Sequence, residues 1–293
     1  FEVLNSPYSS SIYFAKDKNN VYYQNKKING IVADGFEQIQ SNFIKDKNRL
    51  YKIDEDEEKN EIKLIPINEK VNLENFEEIG GNYYKDDKNL YYFGENEFKK
   101  IEGADPNSFK YDNENHTFIA KDKNNVYFEG EKVKGIDVNS AEGIDGLWIK
   151  DKNNVFYEGK KLKGISSDNF SYFNGGLSYD KILIDKNGIY KFIETEDNKK
   201  TIELTRLNSK GIDLETLQRI TSPMDSSNYF KDKNGVYFMD GNKFVKINGA
   251  DKDSFRVTMS GKYGKDKNNV YFEGKKMEGK NPVDFEEEME IKQ

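Results

Sequence analysis

The chain has 293 residues, with 53 acidic and 46 basic side chains, a net charge of −7 and no cysteine. Lysines and acids interleave throughout, which argues against a nucleic-acid groove or a patch for anionic membranes, and the missing thiols exclude disulfides and thiolate chemistry. Aromatic residues reach 14 %, too many for a disordered polymer, and no apolar run approaches the ~20 residues of a membrane helix.

Phe1-Glu2-Val3-Leu4 reads as the closing strand of a unit that precedes it, so further units upstream are expected. A hairpin follows, in which Tyr13–Lys16 and Val21–Tyr23 flank the turn Asp17-Lys18-Asn19-Asn20. Asp at the first turn position accepts bonds from backbone amides two or so residues on, and Asn or Gly at the fourth suits a left-handed residue in a bulged hairpin loop. The same phrase recurs from Asp46, Asp86, Asp122, Asp151, Asp185, Asp232 and Asp266, with Arg49 the misfit at the fourth position. Self-similarity on this scale means one supersecondary unit used many times. The expectation is therefore a single repeat domain over residues 1–293, built of eight units.

Within a unit a second turn comes next, at Gln24-Asn25, Glu129-Gly130, Glu158-Gly159, Asp240-Gly241 and Glu273-Gly274. These pairs suit two-residue primed turns. A Lys-rich strand such as Lys132-Val133-Lys134 then ends at a glycine. The phrase Asp105-Pro106-Asn107-Ser108-Phe109, and its echo Asp251 to Phe255, reads as one capped helical turn. A short strand, as in Phe36-Glu37-Gln38-Ile39, leads into the next hairpin. Polar insertions at Asp54–Asn60 and Glu194–Lys200 are expected at hairpin tips, and Phe285-Glu286-Glu287-Glu288 repeats the closing strand.

Four residues after each motif Asp stands an aliphatic residue (Val21, Leu50, Leu90, Val126, Val155, Ile189, Val236, Val270). The fifth is always aromatic (Tyr22, Tyr51, Tyr91, Tyr127, Phe156, Tyr190, Tyr237, Tyr271). Neighbouring strand residues face opposite ways, so both faces are apolar and need covers that a lone unit cannot supply. The fold class is thus an all-β repeat protein of short antiparallel hairpin and meander units. Repeats as short as 29 residues, Asp17 to Asp46, favour an open curved solenoid-like array over a closed β-propeller, whose repeats run ~40–50 residues.

In wording and length the phrase resembles the repeat of the DKNYY family of bacterial proteins, over all eight units from Tyr13 to Phe285. The resemblance implies a bacterial protein, exported or anchored at the surface, and carries no activity to any residue. The sixth unit departs most, with Ile184 where others have Lys and Lys191 where most have an aromatic, which puts its stacking in question.

Chemistry is sparse. The motif turns lack the spaced acids, sixth-position Gly and closing Glu of a calcium loop. The acids from Asp54 to Glu58 read as a solvated tip rather than a cation site. His116 is the only histidine, without a second His or any Cys to complete a zinc or acid–base site. No Gly-x-Ser-x-Gly elbow, phosphate loop or dinucleotide fingerprint occurs. Regularly spaced tyrosines can serve as a sugar or protein platform, but an aromatic at the same internal position of every unit favours core, and unique Trp148 is assigned there too. The expectations are no catalytic residue, no metal, no cofactor and no transmembrane segment. The chain is read as a non-enzymatic, monomeric binding or scaffold module, exported to the cell surface, periplasm or medium, that recognises a protein or glycan. A lectin or glycan-active enzyme with a groove in the second or sixth unit, and a structural spacer, are the alternatives.

Overall fold

The computed structural model describes residues 2–4, 14–39, 42–56, 61–94, 97–113, 118–174, 181–195, 201–221 and 227–285. Nearly all regular structure is β, arranged as eight four-stranded antiparallel sheets in which sequential strands pair in order. The fourth sheet is typical: Lys110–Asp112, Ile119–Lys121, Val126–Phe128 and Glu131–Lys132. No sheet closes into a barrel. The chain divides into two compact units, Phe1–Leu162 with the first five sheets and Lys163–Gln293 with the last three.

Each motif Asp sits at the hairpin between second and third strands. Its amide donates to the carbonyl of the fourth turn residue, as from Asp122 to Asn125 at 2.9 Å, and its Oδ1 accepts from the amides of Asn124 and Asn125 at 2.7 Å each. The expected positive φ at the fourth residue is found at Gly235 and at none of the asparagines. Asn20, Asn89, Asn125, Asn154 and Asn269 all keep negative φ. Asparagine is there for its side chain instead: the Asn125 Nδ2 donates back to the Asp122 carboxylate at 3.3 and 3.5 Å. Arg49 is accordingly no strained misfit.

The second turns follow the primed pattern, with Glu129 at φ +48° and Gly130 at φ +77°. In the seventh sheet the two loop residues are Gly241 and Asn242 rather than Asp240 and Gly241, because Asp240 is still paired with Lys243. The insertions lengthen the third and fourth strands: Leu50–Asp56 pairs with Glu61–Pro66, and Gly188–Thr195 with Thr201–Arg206. Asp54, expected at a tip, is therefore a strand residue, while Glu57–Asn60 and 196–200 lie outside the described residues. Where helical turns were expected, at Asp105–Phe109 and Asp251–Phe255, the chain makes non-helical turns; a 3-10 turn capped by Asp137 stands instead at Val138–Ser140 in the linker before the fifth sheet.

Inside each compact unit every core cluster draws on two consecutive sheets. Leu50 packs toward the third sheet and Tyr51 toward the first; Val126 faces the fifth and Tyr127 the third. In the second compact unit Val236 faces the eighth sheet and Tyr237 the sixth. The alternation of aliphatic and aromatic residues thus sets a direction, with aliphatic sides forward and aromatic sides back. The sixth sheet stacks despite its departures: Ile182, Ile184 and Ile189 join Leu217, Phe230 and Tyr237. Its isoleucine supplies apolar contact where the other units place lysine. Trp148 is fully buried against Tyr157, as assigned.

Candidate functional site

The most connected polar group in the molecule is the motif carboxylate. Oδ1 closes its own turn. Oδ2 accepts from the tyrosine five residues on and from a backbone amide in the linker before the sheet. At Asp122 the Tyr127 hydroxyl lies at 2.5 Å and the Asp105 amide at 2.9 Å. The same linker bond recurs from Val32 to Asp46, Asn72 to Asp86, Asp137 to Asp151, Ser166 to Asp185, Asp213 to Asp232 and Asp251 to Asp266, at 2.7–3.0 Å. Those carboxylates are buried, with Asp122 only 3 % exposed. Each one joins a turn to the chain entering the sheet, and Asp46, Asp86, Asp122, Asp232 and Asp266 take in a core tyrosine as well.

Electrostatics follow from this geometry. Burial pushes the Asp122 carboxyl up, but the Tyr127 hydroxyl and the amides of Asp105, Asn124 and Asn125 more than offset it, leaving the group below its ordinary value. Asp86, Asp151 and Asp266 are held down by the same balance. Burial and then the Asp266 charge push the Tyr271 hydroxyl up to about 12. Where the fifth sheet has Phe156 in place of tyrosine, the Asn154 Nδ2 moves to 3.0 Å from both Asp151 oxygens, against 3.3–3.4 Å at Asn89.

Around each joint lies a solvent-exposed ion pair between the lysine after the motif Asp and a linker aspartate: Lys123 with Asp105 at 2.7 Å, Lys152 with Asp137 at 2.9 Å, Lys267 with Asp251 at 2.7 Å. Lys152, then Ser140, holds Asp137 down to about 2. In the third unit the motif reads Asp86-Asp87, and the linker partner is Asn72, whose Nδ2 donates to Asp87 at 2.8 Å. An aspartate there would face a like charge. The linker serine completes the joint: the Ser108 hydroxyl donates to Asp105 and accepts from the Lys123 amide.

Most of the aromatic ladder is enclosed. Tyr91, Tyr127, Phe156 and Tyr271 are buried, Tyr22 is half-exposed, and of the rings one position further on Tyr92 and Phe128 lie against the next sheet's second turn while Phe272 is exposed. The Gly130 amide donates to the Tyr83 hydroxyl at 3.1 Å, and a Cβ on Gly130 would stand 2.7 Å from Tyr92. The Gly274 amide meets the Tyr229 hydroxyl at 3.0 Å in the same way. Tyr83 and Tyr229, both buried, are closed to a sugar ring.

The concave surface that remains open is a groove of about 510 Å³ across the fourth, edge strands of the third, fourth and fifth sheets. Glu97, Lys99, Glu131, Lys132 and Lys160 line it together with Tyr92 and Phe128, and Lys99 pairs with Glu131 at 2.5 Å. A smaller one of about 430 Å³ lies between the edge strands of the first two sheets, beside Tyr23, Lys26 and Glu61. No group of three or more His, Cys, Asp or Glu suited to a metal occurs among the described residues. His116 lies outside them, as do Glu57 and Glu58; Asp54 lies on a strand and Tyr23 donates to Glu55. Among the described residues no helix is long and apolar enough to cross a membrane.

Against known families, the DKNYY family matches residues 1–131, 118–275 and 229–291. The chain belongs to the DKNYY family. No curated protein matches it. The DKNYY phrase can now be read residue by residue: Asp ties the joint, Lys makes the rim ion pair, Asn braces the carboxylate and the tyrosine donates to it from the core. The linker amide as donor to Oδ2 escaped the sequence reading, because it lies 14 to 19 residues before its acceptor. The paired exchange of Asp87 with Asn72 was the available signal.

Proposed function

We propose that this chain is a non-enzymatic binding module that receives an extended segment of a partner protein in the edge-strand groove of the third to fifth sheets. The observation that carries this reading is the groove's lining: Glu97, Lys99, Glu131, Lys132 and Lys160 on the last strands of three successive sheets, above Tyr92 and Phe128. Charged side chains of both signs along strand edges suit an extended polypeptide of complementary charge, which can add main-chain bonds to an edge strand. Sheets packed ~10 Å apart give the groove room for roughly six extended residues. The motif carboxylates, already holding three or more donors each, have little capacity for chemistry. The module belongs to an exported or surface-anchored bacterial protein, in keeping with the family resemblance.

The test is a charge-patterned peptide library on the immobilised chain, run beside glycan and hydrolase-substrate panels. Selected peptides should bind, and Lys99→Glu combined with Lys160→Glu should cut affinity about tenfold or more, as loss of charge-assisted contacts does. Turnover of a glycan, or binding confined to glycans, would overturn the reading.

A further inference from the structure

Four Asn-Gly pairs in the described residues differ in one respect that decides their chemical fate. At Asn187-Gly188 and Asn234-Gly235 the glycine amide is held by the motif carboxylate, donating to Asp185 Oδ1 at 3.0 Å and to Asp232 Oδ1 at 2.9 Å. At Asn29-Gly30 and Asn248-Gly249 the pair lies on the exposed bend after the fourth strand. Neither glycine amide donates a hydrogen bond there, and the space where a Cβ would stand on Gly30 and Gly249 is empty to 4 Å. Other units place Glu102, Lys134, Lys163 or Lys210 before the equivalent glycine. A fifth pair, at 174–175, is only partly among the described residues.

We infer that Asn29 and Asn248 are sites of spontaneous deamidation, while the same dipeptide inside the motif turn is protected by its aspartate. The glycine amide nitrogen, on losing its proton, attacks the asparagine Cγ. A five-membered succinimide forms, the bond from Cγ to the side-chain nitrogen breaks, and ammonia leaves. Water then opens the ring at either carbonyl, giving aspartate or isoaspartate and one added negative charge. No oxidant or enzyme is required. A glycine amide bound to a carboxylate must first give up a charge-assisted bond, which slows attack by about tenfold or more.

The two sites share a place in the fold. Each stands three residues before a joint donor, Asn29 before Val32 and Asn248 before Asp251. The Gly30 carbonyl also accepts from Tyr51 at 3.1 Å. Isoaspartate lengthens the main chain by one methylene there and draws the linker out of register with the Asp46 or Asp266 carboxylate.

The experiment incubates the whole chain in mildly alkaline buffer, with and without unfolding urea, and maps amide-to-acid conversion by mass spectrometry of peptides. In the folded protein Asn29 and Asn248 should convert about tenfold or more faster than Asn187 and Asn234, and in urea the four should converge. Asn187 or Asn234 keeping pace in the folded protein would overturn the inference. So would intact Asn29 and Asn248 over a period that converts the urea-unfolded chain.

Discussion

The first and fourth sheets carry almost the same phrase, Asp17-Lys18-Asn19-Asn20-Val21-Tyr22 and Asp122-Lys123-Asn124-Asn125-Val126-Tyr127, and make the same local bonds. Tyr22 donates to Asp17 at 2.7 Å as Tyr127 does to Asp122 at 2.5 Å, and both carboxylates take the two turn amides. Yet Asp122 and Tyr127 are buried, packed against the third sheet and bound by the Asp105 amide, whereas Asp17 and Tyr22 are half-exposed. The octapeptide thus specifies a hairpin wherever it occurs. Whether the hairpin becomes core depends on the sheet behind it, as expected for repeats stabilised by nearest-neighbour contact.

Acid probes that difference at four of the joints at once. Asp86, Asp122, Asp151 and Asp266 titrate below their ordinary value in the folded chain, and Asp17, through Tyr22 and Asn19, is held at about 2. A depressed carboxyl contributes stability that is present above its unfolded pKa of ~3.9 and is lost as pH falls through the folded value. The urea midpoint should therefore hold near neutrality and drop steeply below about pH 4. A midpoint that stays level down to pH 2 would mean the carboxylates hold nothing.

The next largest effect is local. Asp122→Ala strands the Tyr127 hydroxyl and three amides in a buried joint and should cost about 3 kcal/mol. Asp17→Ala, at a half-exposed turn, should cost about 1 kcal/mol or less. Denaturant titration of the two variants compares them directly, and equal losses would erase the distinction between hairpin and joint.

Tyr127→Phe should cost roughly 1 kcal/mol, and Tyr22→Phe less, since water can replace the lost donor at the half-exposed site. The fifth sheet already tolerates this change, with Phe156 in the tyrosine's place and Asn154 drawn in. Restoring the donor there by Phe156→Tyr, measured by thermal melting, should leave the chain no less stable, and Asn154 should become replaceable by Ala at little cost.

Much of this architecture was legible in the residues. Turn chemistry located all eight hairpins, and period-two alternation showed that Leu90 and Tyr91 need covers on opposite sides. Local signals located local structure. What escaped was of two kinds. The asparagine at the fourth turn position was credited with a backbone preference when its side chain does the bonding, and composition cannot separate those causes. The bond from the linker to Oδ2 connects residues whose separation varies between units, so no fixed spacing betrays it. The open groove was illegible because it needs three successive edge strands, each of which reads alone as a solvated lysine-rich segment.

Native-state hydrogen exchange at the linker amides tests the joint most directly. If the motif carboxylate fastens each sheet to the chain before it, the Asp105, Asp137 and Asp251 amides should be protected nearly as well as the paired strand amides of Val126 and Tyr127, and Asp122→Ala should release Asp105 alone. Linker amides exchanging as fast as those of the exposed Gly30 and Gly249, which donate no hydrogen bond, would contradict it, leaving the motif a hairpin turn and nothing more.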